Sequence, residues 1–598
     1  MEPKTPFFRA LAEKLARNRT NKSLEKIDSL AGSFSITEKA LFLVCFIAFA
    51  WGVLSLLGKV SDSFSVDVPR RGGSLVEGIV GTPRFVNPLL AVSDADRDLT
   101  QLVYSGLLKT EPDGDIVPDL ADHYDVAPDG LTYTFFIRDK AVWSDGTEVT
   151  ADDVVYTVQK AQDSALKSPR YVNWQGVTVE KVGPKEVIFR LKQAYAPFIN
   201  NLALGILPSH LWKNLSVDQM PFSSLNTNAI GSGPYVIASV AKSSDGIPTE
   251  FNLKSNPDYA LGQPYIDTIS IKAFATEPAL VAALAAGEVE SASNISPESA
   301  GSLSAATLMT APLTRVFGVF FDQNQNEILA RKEVRQALSA AIDKDSLIQG
   351  VLAGYGTAID GPLPPTSTAK TAAVAQASTT LDAASILAKA GWKKNPNTGI
   401  YEYKAKTKGS ATSTLEVTIS TANVPELVIA AKKIEGIWGQ FGVQVHVQVY
   451  EPSDLNQSVI RPRKYEALLF GIVTGRNSDL YPFWHSSQRN DPGLNISLYT
   501  NQKVDKALEK MRGATSSAAI ATSYATVRSE IAADMPAIFL WSPDFLYAVP
   551  KKLHGVELGE ITTSSDRFLG VERWYVDTER VWDVFVKDKN SILDTNNH

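Results

Sequence analysis

The side chains that could carry chemistry are scattered along this sequence. The six histidines lie at positions 123, 210, 446, 485, 554 and 598, and no two of them have the spacing of metal ligands. Ser-x-x-Lys occurs at Ser23, Ser164, Ser239 and Ser367, without the Ser-Asp-Asn and Lys-Thr-Gly motifs of serine acyl-transfer enzymes. H-E-x-x-H, G-x-S-x-G and P-loop motifs are absent from the sequence. The sequence therefore predicts a protein that is not an enzyme and has no metal or cofactor.

The paired carboxylates Asp152 and Asp153 are better explained by structure than by general acid and base catalysis. They follow Thr150, a predicted helix N-cap, and the helix dipole favours anions in a first turn. Upstream, Leu131, Tyr133, Phe135 and Ile137 alternate with less apolar residues, which indicates a strand with one buried face. The stretch from 118 to 161 therefore predicts a strand, a turn and a helix.

The residues of this stretch are also similar to a known family. LADHYDVAPDGLTYTFFIRDKAVWSDGTEVTADDVVYT resembles the signature region of the family-5 solute-binding proteins of ABC transporters, the extracytoplasmic receptors for oligopeptides, dipeptides and nickel complexes. Further short motifs follow the family's order: NPL at 87–89, VYSGLL at 103–108, GSGPY at 231–235, SNPDY at 255–259, ALAAGEVE at 283–290, the stretch 332–356, ILAKAGW at 386–392 and DLYPFWHSSQ at 479–488. The resemblance covers residues 73 to 582.

The resemblance implies an α/β fold of the two-lobed periplasmic-binding-protein type (type II, with an extra subdomain). From the chain we expect lobe one over 73–322, lobe two over 323–536 and a return segment of lobe one over 537–590. Paired apolar strands near 316–322 and 537–541 are expected to connect the lobes as a hinge. A β-α-β unit is predicted from Leu415 to Val449, with a helix from Leu427 to Phe441. One continuous helix is predicted over 333–349.

The resemblance also implies ligand contacts in three stretches. They contain Ser93 and Asp94, then Tyr171 and Trp174, then Arg476, Asn477 and Asp479; Trp541 is a weaker match. Ten Trp and nineteen Tyr suit a receptor that encloses a ligand. Each position keeps a structural alternative, because Tyr171 and Trp174 could be core residues and Ser93 and Asp94 could begin a helix.

Arg476 stands where the family's peptide binders carry an aspartate that pairs with the ligand's ammonium. A guanidinium fork suits a carboxylate or phosphate and cannot bind an ammonium. The ligand would then be anionic at that end, or a peptide whose amine is taken by Asp94 or Asp479. The alternative is that Arg476 only pairs with Asp479 at a rim.

The N-terminal region differs in composition from the rest. Residues 1–39 carry eight Lys or Arg and five Asp or Glu, and residues 40–58 contain no charge. A run of 19 apolar residues is about long enough to cross a bilayer as a helix. We expect a cytoplasmic tail over 1–39, an uncleaved transmembrane helix over 40–58, a linker over 59–72 and an extracytoplasmic large domain.

Composition limits the remaining function classes. A formal net charge of −7 argues against nucleic-acid binding, and a single cysteine, Cys45, excludes an intrachain disulfide. The main hypothesis is a monomeric receptor that captures a peptide-like or other small solute and delivers it to an ABC permease. A cell-surface enzyme and a sensor that reuse this fold are the alternatives.

Overall fold

The computed structural model describes residues 35–303, 306–365, 382–404, 412–476, 478–514 and 516–582. The described strands are β1 Ser65–Arg70, β2 Ser74–Val80, β3 Leu108–Thr110, β4 Ile116–Pro118, β5 Ala121–Val126, β6 Thr132–Ile137, β7 Thr178–Gly183, β8 Glu186–Arg190, β9 Tyr235–Lys242, β10 Pro248–Ser255, β11 Thr268–Phe274, β12 Ser291–Ser293, β13 Thr307–Pro312, β14 Arg315–Phe321, β15 Gly356–Ala358, β16 Lys393–Lys394, β17 Tyr401–Lys404, β18 Thr412–Thr414, β19 Glu416–Ala422, β20 Gln444–Tyr450, β21 Ala467–Val473, β22 Ala537–Val549 and β23 Asp577–Trp582.

The described α-helices are α1 Ile36–Phe64, α2 Asp94–Val103, α3 Ala151–Ala161, α4 Tyr171–Trp174, α5 Phe198–Asn201, α6 Ser209–Trp212, α7 Glu277–Ala286, α8 Pro297–Ala300, α9 Glu327–Ala330, α10 Lys332–Ala340, α11 Lys344–Leu352, α12 Ala383–Lys389, α13 Pro425–Phe441, α14 Pro452–Asp454, α15 Tyr481–Trp484, α16 Gln502–Gly513 and α17 Ser517–Asp534. Short 3-10 helices lie at Ser164–Leu166, Met220–Phe222, Ser224–Asn226, Ser486–Gln488, Ser564–Phe568 and Val571–Arg573, and Leu455–Ile460 is π-helical.

The chain divides into two compact units. The first comprises residues 1–69 and 578–598, and its described part contains α1 and the strand pair β1 and β23. Ile36–Leu56 within α1 is the one stretch of the described residues long and apolar enough to cross a membrane, by length and composition. Ser35 caps α1, because its hydroxyl accepts from Glu38 N while the Glu38 carboxylate accepts from Ser35 N. The basic tail predicted over 1–39 lies outside the described residues up to position 34.

The second unit, residues 70–577, has two large hydrophobic cores, which define two lobes. Lobe one is built on β9, β10, β11, β2 and β12, and lobe two on β20, β19, β21 and β14. β22 joins the two sets, since it pairs with β14 through residues 537–541 and with β13 through residues 544–549. Nearly every residue of this thirteen-residue strand is buried, as is typical of a strand covered on both faces.

The chain passes from one core to the other at two points. The buried core residues change from lobe one to lobe two between Leu313 and Val316, and change back between Trp541 and Phe545. The sequence places these boundaries at 322 and 536. β14 packs in lobe two because both of its neighbours, β21 and β22, are lobe-two strands at that level. The expected return segment continues to 590, of which residues 583–590 lie outside the described residues.

Three local predictions are confirmed. Tyr133, Phe135 and Ile137 form the buried face of β6, and Thr150 begins α3, where its N–H donates to the Asp153 carboxylate at 2.8 Å. β6 lies in a four-stranded sheet, in the order β5-β6-β8-β7, which forms the extra subdomain of lobe one. β19, α13 and β20 form the predicted β-α-β unit, and the two strands pair in parallel.

The prediction of one continuous helix over 333–349 is wrong. The structure has α10 and α11 in its place, separated at residues 341–343. Asp343 causes the break, because its carboxylate accepts the N–H groups of Asp345 and Ser346 and begins a new helix there.

Candidate ligand-binding cavity

A cavity of about 430 Å³ lies between the two lobes of the second unit. Lobe one contributes most of the wall, from α2, residues 170–174, residues 200–205 and residues 562–569. Gly475 and Arg476 contribute the part that follows β21 of lobe two. A wider depression of about 710 Å³ lies on the four-stranded sheet, but residues of lobe one alone form it. The first cavity is therefore the better candidate for a ligand that both lobes enclose.

The first predicted stretch positions a cavity residue that sequence reasoning missed. Ser93 caps α2 through the N–H of Asp96, and the Asp96 carboxylate also accepts the N–H groups of Arg84 and Phe85. Asp94 pairs with Arg97 Nη1 at 3.0 Å. Ser93 and Asp94 do not line the cavity, whereas Arg97, one helical turn further on, does. The spacing of three residues between an acid and an arginine at a helix start is the signal that could have identified Arg97.

In the second predicted stretch, too, an arginine that was not predicted lines the cavity. Trp174 is 2% exposed, packs against Phe189 and Phe198, and still lines the cavity. Tyr171 is half-buried and lies outside the cavity wall. The residue just before it, Arg170, lines the cavity and was missed by sequence reasoning. Burial lowers the pKa of the Arg170 guanidinium, and the charge of Arg97 lowers it further.

The third stretch brings Arg476 to the cavity through a tight turn. Gly475 has φ +69°, a left-handed conformation that glycine adopts without strain. The Nη2 atom of Arg476 donates to Glu560 O at 2.7 Å and to Asp566 Oδ2 at 2.9 Å. Arg476 therefore pairs with Asp566 of lobe one, and not with Asp479 as the structural alternative proposed. Asn477, also predicted as a ligand contact, lies outside the described residues.

Asp479 belongs to a contact between the lobes, here called the interlobe contact, formed by Tyr195 and Ala196 of lobe one with Asp479 and Arg512 of lobe two. Arg512 Nη2 lies 2.7 Å from Asp479 Oδ2, and its guanidinium stacks on Tyr481, 3.9 Å from the ring centre. The Arg512 carbonyl accepts the N–H of Ala196 at 2.9 Å. Burial, and then Asp479, raise the pKa of the Tyr195 hydroxyl to about 12, so Tyr195 is neutral. This contact holds the lobes together beside the cavity.

Trp541 lies in the core of lobe two and does not line the cavity. It is fully buried and stacks on Phe317 with ring centres 5.5 Å apart. Its neighbour Glu426 is at the first turn of α13. Burial raises the pKa of the Glu426 carboxyl, while the indole of Trp541 and the charge of Arg315 oppose that rise. The position of Trp541 suits the crossing between the lobes better than a ligand contact.

The cavity floor carries buried polar groups of lobe one. Asp119 is 3% exposed, and its Oδ1 atom has no hydrogen-bond partner among the described residues. Burial raises the pKa of this carboxyl to about 7. The neighbouring Lys109 is balanced by Glu111 and Glu572, at 3.0 and 2.6 Å. Within the described residues, no three His, Cys, Asp or Glu side chains are grouped so that they could hold a metal ion.

Comparison with known proteins gives a consistent result. Residues 115–493 match the family described as bacterial extracellular solute-binding proteins, family 5 Middle. The chain is 29% identical over 500 residues to the oligopeptide-binding protein AppA of Bacillus subtilis, which covers 82% of this chain and 90% of AppA. The structure of AppA in complex with a nonapeptide is similar over 85% of this chain and 100% of AppA, with a TM-score of 0.63 and 27% identity. NikZ of Campylobacter jejuni, in complex with Ni(L-His), is similar over 84% of this chain and 99% of NikZ, with a TM-score of 0.62 and 25% identity.

Proposed function

We propose that this chain, which belongs to the bacterial extracellular solute-binding proteins of family 5, is the substrate-binding receptor of an ABC transporter and captures a peptide-like solute between its lobes. Family membership, shown by the match over residues 115–493, supports the receptor role over an enzyme or a sensor. The chain is also similar along most of its length to proteins named for peptide binding. A permease of the same transporter is the expected partner.

The observation that carries this proposal is the cavity of about 430 Å³ between the lobes. Its volume falls in the range of about 300–1,000 Å³ that small-ligand sites occupy. The interlobe contact closes the lobes beside the cavity, so a solute would enter when the lobes separate and be held when they close. We assign direct ligand contact to Trp174 and Arg476 among the predicted residues, since both line the cavity. Ser93 and Asp94 would position α2, and Asp479 would hold the lobes closed.

We further propose that α1 anchors the receptor in the membrane as a single span. The apolar side chains of Ile36–Leu56 are exposed, which is unfavourable in water and favourable in a bilayer. The basic composition of residues 1–39 supports a cytoplasmic position for that end by the positive-inside rule. The second unit would then act outside the membrane as a monomer, and its acidic character gives no reason to expect nucleic acid as a partner.

The test uses the full-length chain, purified from its native membrane in nanodiscs. Small molecules released by denaturing the protein are identified by mass spectrometry, and the same molecules are added back to stripped protein. The proposal predicts that a peptide-like compound is released and that it quenches or enhances tryptophan fluorescence when added back. Replacing Trp174 by Ala should weaken that binding, while Trp212, buried in lobe one away from the cavity wall, provides the matched control. Release of no solute, together with no response to any peptide, would contradict the proposal.

A further inference from the structure

Three arginines from separate segments line the cavity. Arg97 comes from α2, Arg170 from the residue before α4, and Arg476 from the turn after β21. Arg97 lies close enough to Arg170 for its charge to disfavour the cationic form of Arg170. Asp566 lies near Arg170 and is hydrogen-bonded to Arg476. Three like charges are therefore held together in one partly buried place.

The neighbouring carboxylates do not balance this charge. Asp94 pairs with Arg97, and both side chains are partly exposed. Asp566 accepts a hydrogen bond from Arg476 and also from the N–H groups of Thr562 and Thr563. Within the described part of the chain, Arg170 makes no side-chain hydrogen bond or ion pair, and its Nε atom is buried without a partner. The Nη1 atom of Arg476 is buried without a partner as well.

An arginine with a purely structural role in this protein has hydrogen-bond partners for its guanidinium. Arg335 is 4% exposed and donates to the carbonyl oxygens of Leu329, Ala330, Asp534 and Met535. Among the described residues, no carbonyl oxygen accepts a hydrogen bond from the Arg170 Nε atom. A guanidinium stays protonated even where water is excluded. Its charge is therefore unfavourable in such a place unless an anion pairs with it. The free donors of Arg170 and Arg476 therefore point to a bound anion.

We propose that the solute presents an anionic group, a carboxylate or a phosphate, to Arg97, Arg170 and Arg476, and is held by that group rather than by a free amine. This inference rests on the proposed receptor function and names its ligand class. The planar fork of a guanidinium matches both anions with two parallel hydrogen bonds. Neither predicted partner for an amine lines this cavity: Asp94 is bonded to Arg97 outside its wall, and Asp479 is bonded to Arg512.

The experiment measures binding to the full-length chain in nanodiscs with two matched peptide libraries. One library is N-acetylated with a free C-terminal carboxylate, and the other has a free amine and a C-terminal amide. We expect the carboxylate library to bind about 10- to 100-fold more tightly, and Arg170→Gln to lose about that factor, as for a charged hydrogen-bonded group. Arg190→Gln is the matched control, since Arg190 is an exposed lobe-one arginine. Competition by inorganic phosphate would show that the site accepts either anion, and tight carboxylate binding without such competition would restrict the class to carboxylates.

The melting temperature of the ligand-free protein separates a binding role from a structural one. Arg170→Gln should leave it unchanged or raise it, because the substitution removes a partly buried charge that has no hydrogen-bonded partner among the described residues. A marked fall would overturn the proposal. Equal binding of the two libraries, or undiminished binding by Arg170→Gln, would also overturn it while leaving the receptor function intact. Binding of neither library and no anion by the folded wild type would instead contradict the receptor function itself.

Discussion

Replacing Arg567 by Met should strongly destabilise lobe one. Arg567 is fully buried and donates from Nε to Glu77 at 2.9 Å, from Nη1 and Nη2 to Asp98 at 2.8 Å each, and from Nη1 to Ser564 O at 2.6 Å. Glu77 lies on β2, Asp98 on α2 and Arg567 on the returning segment, so this ion network joins the two ends of lobe one. Removing the cation leaves two carboxylates buried without their partner.

The expected loss is about 3–5 kcal/mol, the usual cost of breaking a buried ion pair. Burial raises the pKa of the carboxyl groups of Glu77 and Asp98, and Arg567 opposes that rise. In Arg567→Met the rise is unopposed, so the folded state holds protons that the unfolded chain has already released. Stability therefore falls as pH rises through that window, and the loss should be smaller at acidic than at neutral pH.

The assay is urea unfolding of the full-length chain followed by tryptophan fluorescence at two pH values. Arg461→Met is the matched control: Arg461 and Asp491 are both about half exposed, and such a pair contributes less than about 1 kcal/mol. A triple variant that also carries Glu77→Gln and Asp98→Asn should regain part of the stability, because no charge is then buried. Equal unfolding midpoints for Arg567→Met and Arg461→Met, or a loss that does not depend on pH, would refute the reasoning.

Three further predictions follow from the same structure. Burial raises the pKa of Asp119 to about 7, so the contribution of this carboxyl to stability should fall as pH rises from about 4 to 7. Asp119→Asn should flatten the dependence of the melting temperature on pH over this range. An unchanged dependence would show that the carboxyl is ionised throughout. Arg512→Ala removes the guanidinium of the interlobe contact and should speed solute release about 10-fold in stopped-flow measurements, since that contact holds the lobes closed; unaltered release would exclude such a role. Protease added to intact cells should remove everything beyond about residue 61, whereas a protected large domain or a mature N-terminus near residue 60 would contradict a membrane anchor.

Sequence patterns predicted the parts of the fold that depend on local periodicity. The alternation that ends at Ile137 specifies a strand and the capping residue Thr150 specifies a helix start, and both were predicted correctly. The helix predicted over 333–349 failed because the apolar pattern continues through Asp343, while a side chain that caps a new helix interrupts the backbone there. Periodicity reports which face is buried and does not report such a local competition for N–H groups.

The site was predicted less well, for a physical reason. The resemblance directed attention to three short stretches, and in each one the structure places an arginine at or beside the predicted residues: Arg97 after Asp94, Arg170 before Tyr171, and Arg476 itself. Each arginine has an ordinary local sequence, so nothing in one stretch alone shows that the three line the same cavity. Their meeting depends on β22 and the crossing strands, which bring together residues hundreds of positions apart.

Arg567 and Arg170 both belong to lobe one, but they differ in whether neighbouring carboxylates match their charge. Arg567 has its charge matched by two carboxylates and its donors used, so it stabilises the empty protein. Arg170 has neither, although it lies only a short distance along the wall from the paired Arg97 and Arg476. Evolution toward stability alone would replace such a residue, because removing a partly buried charge without a hydrogen-bonded partner is favourable. Its presence in the wall of the interlobe cavity is therefore best explained by a ligand that supplies the missing negative charge.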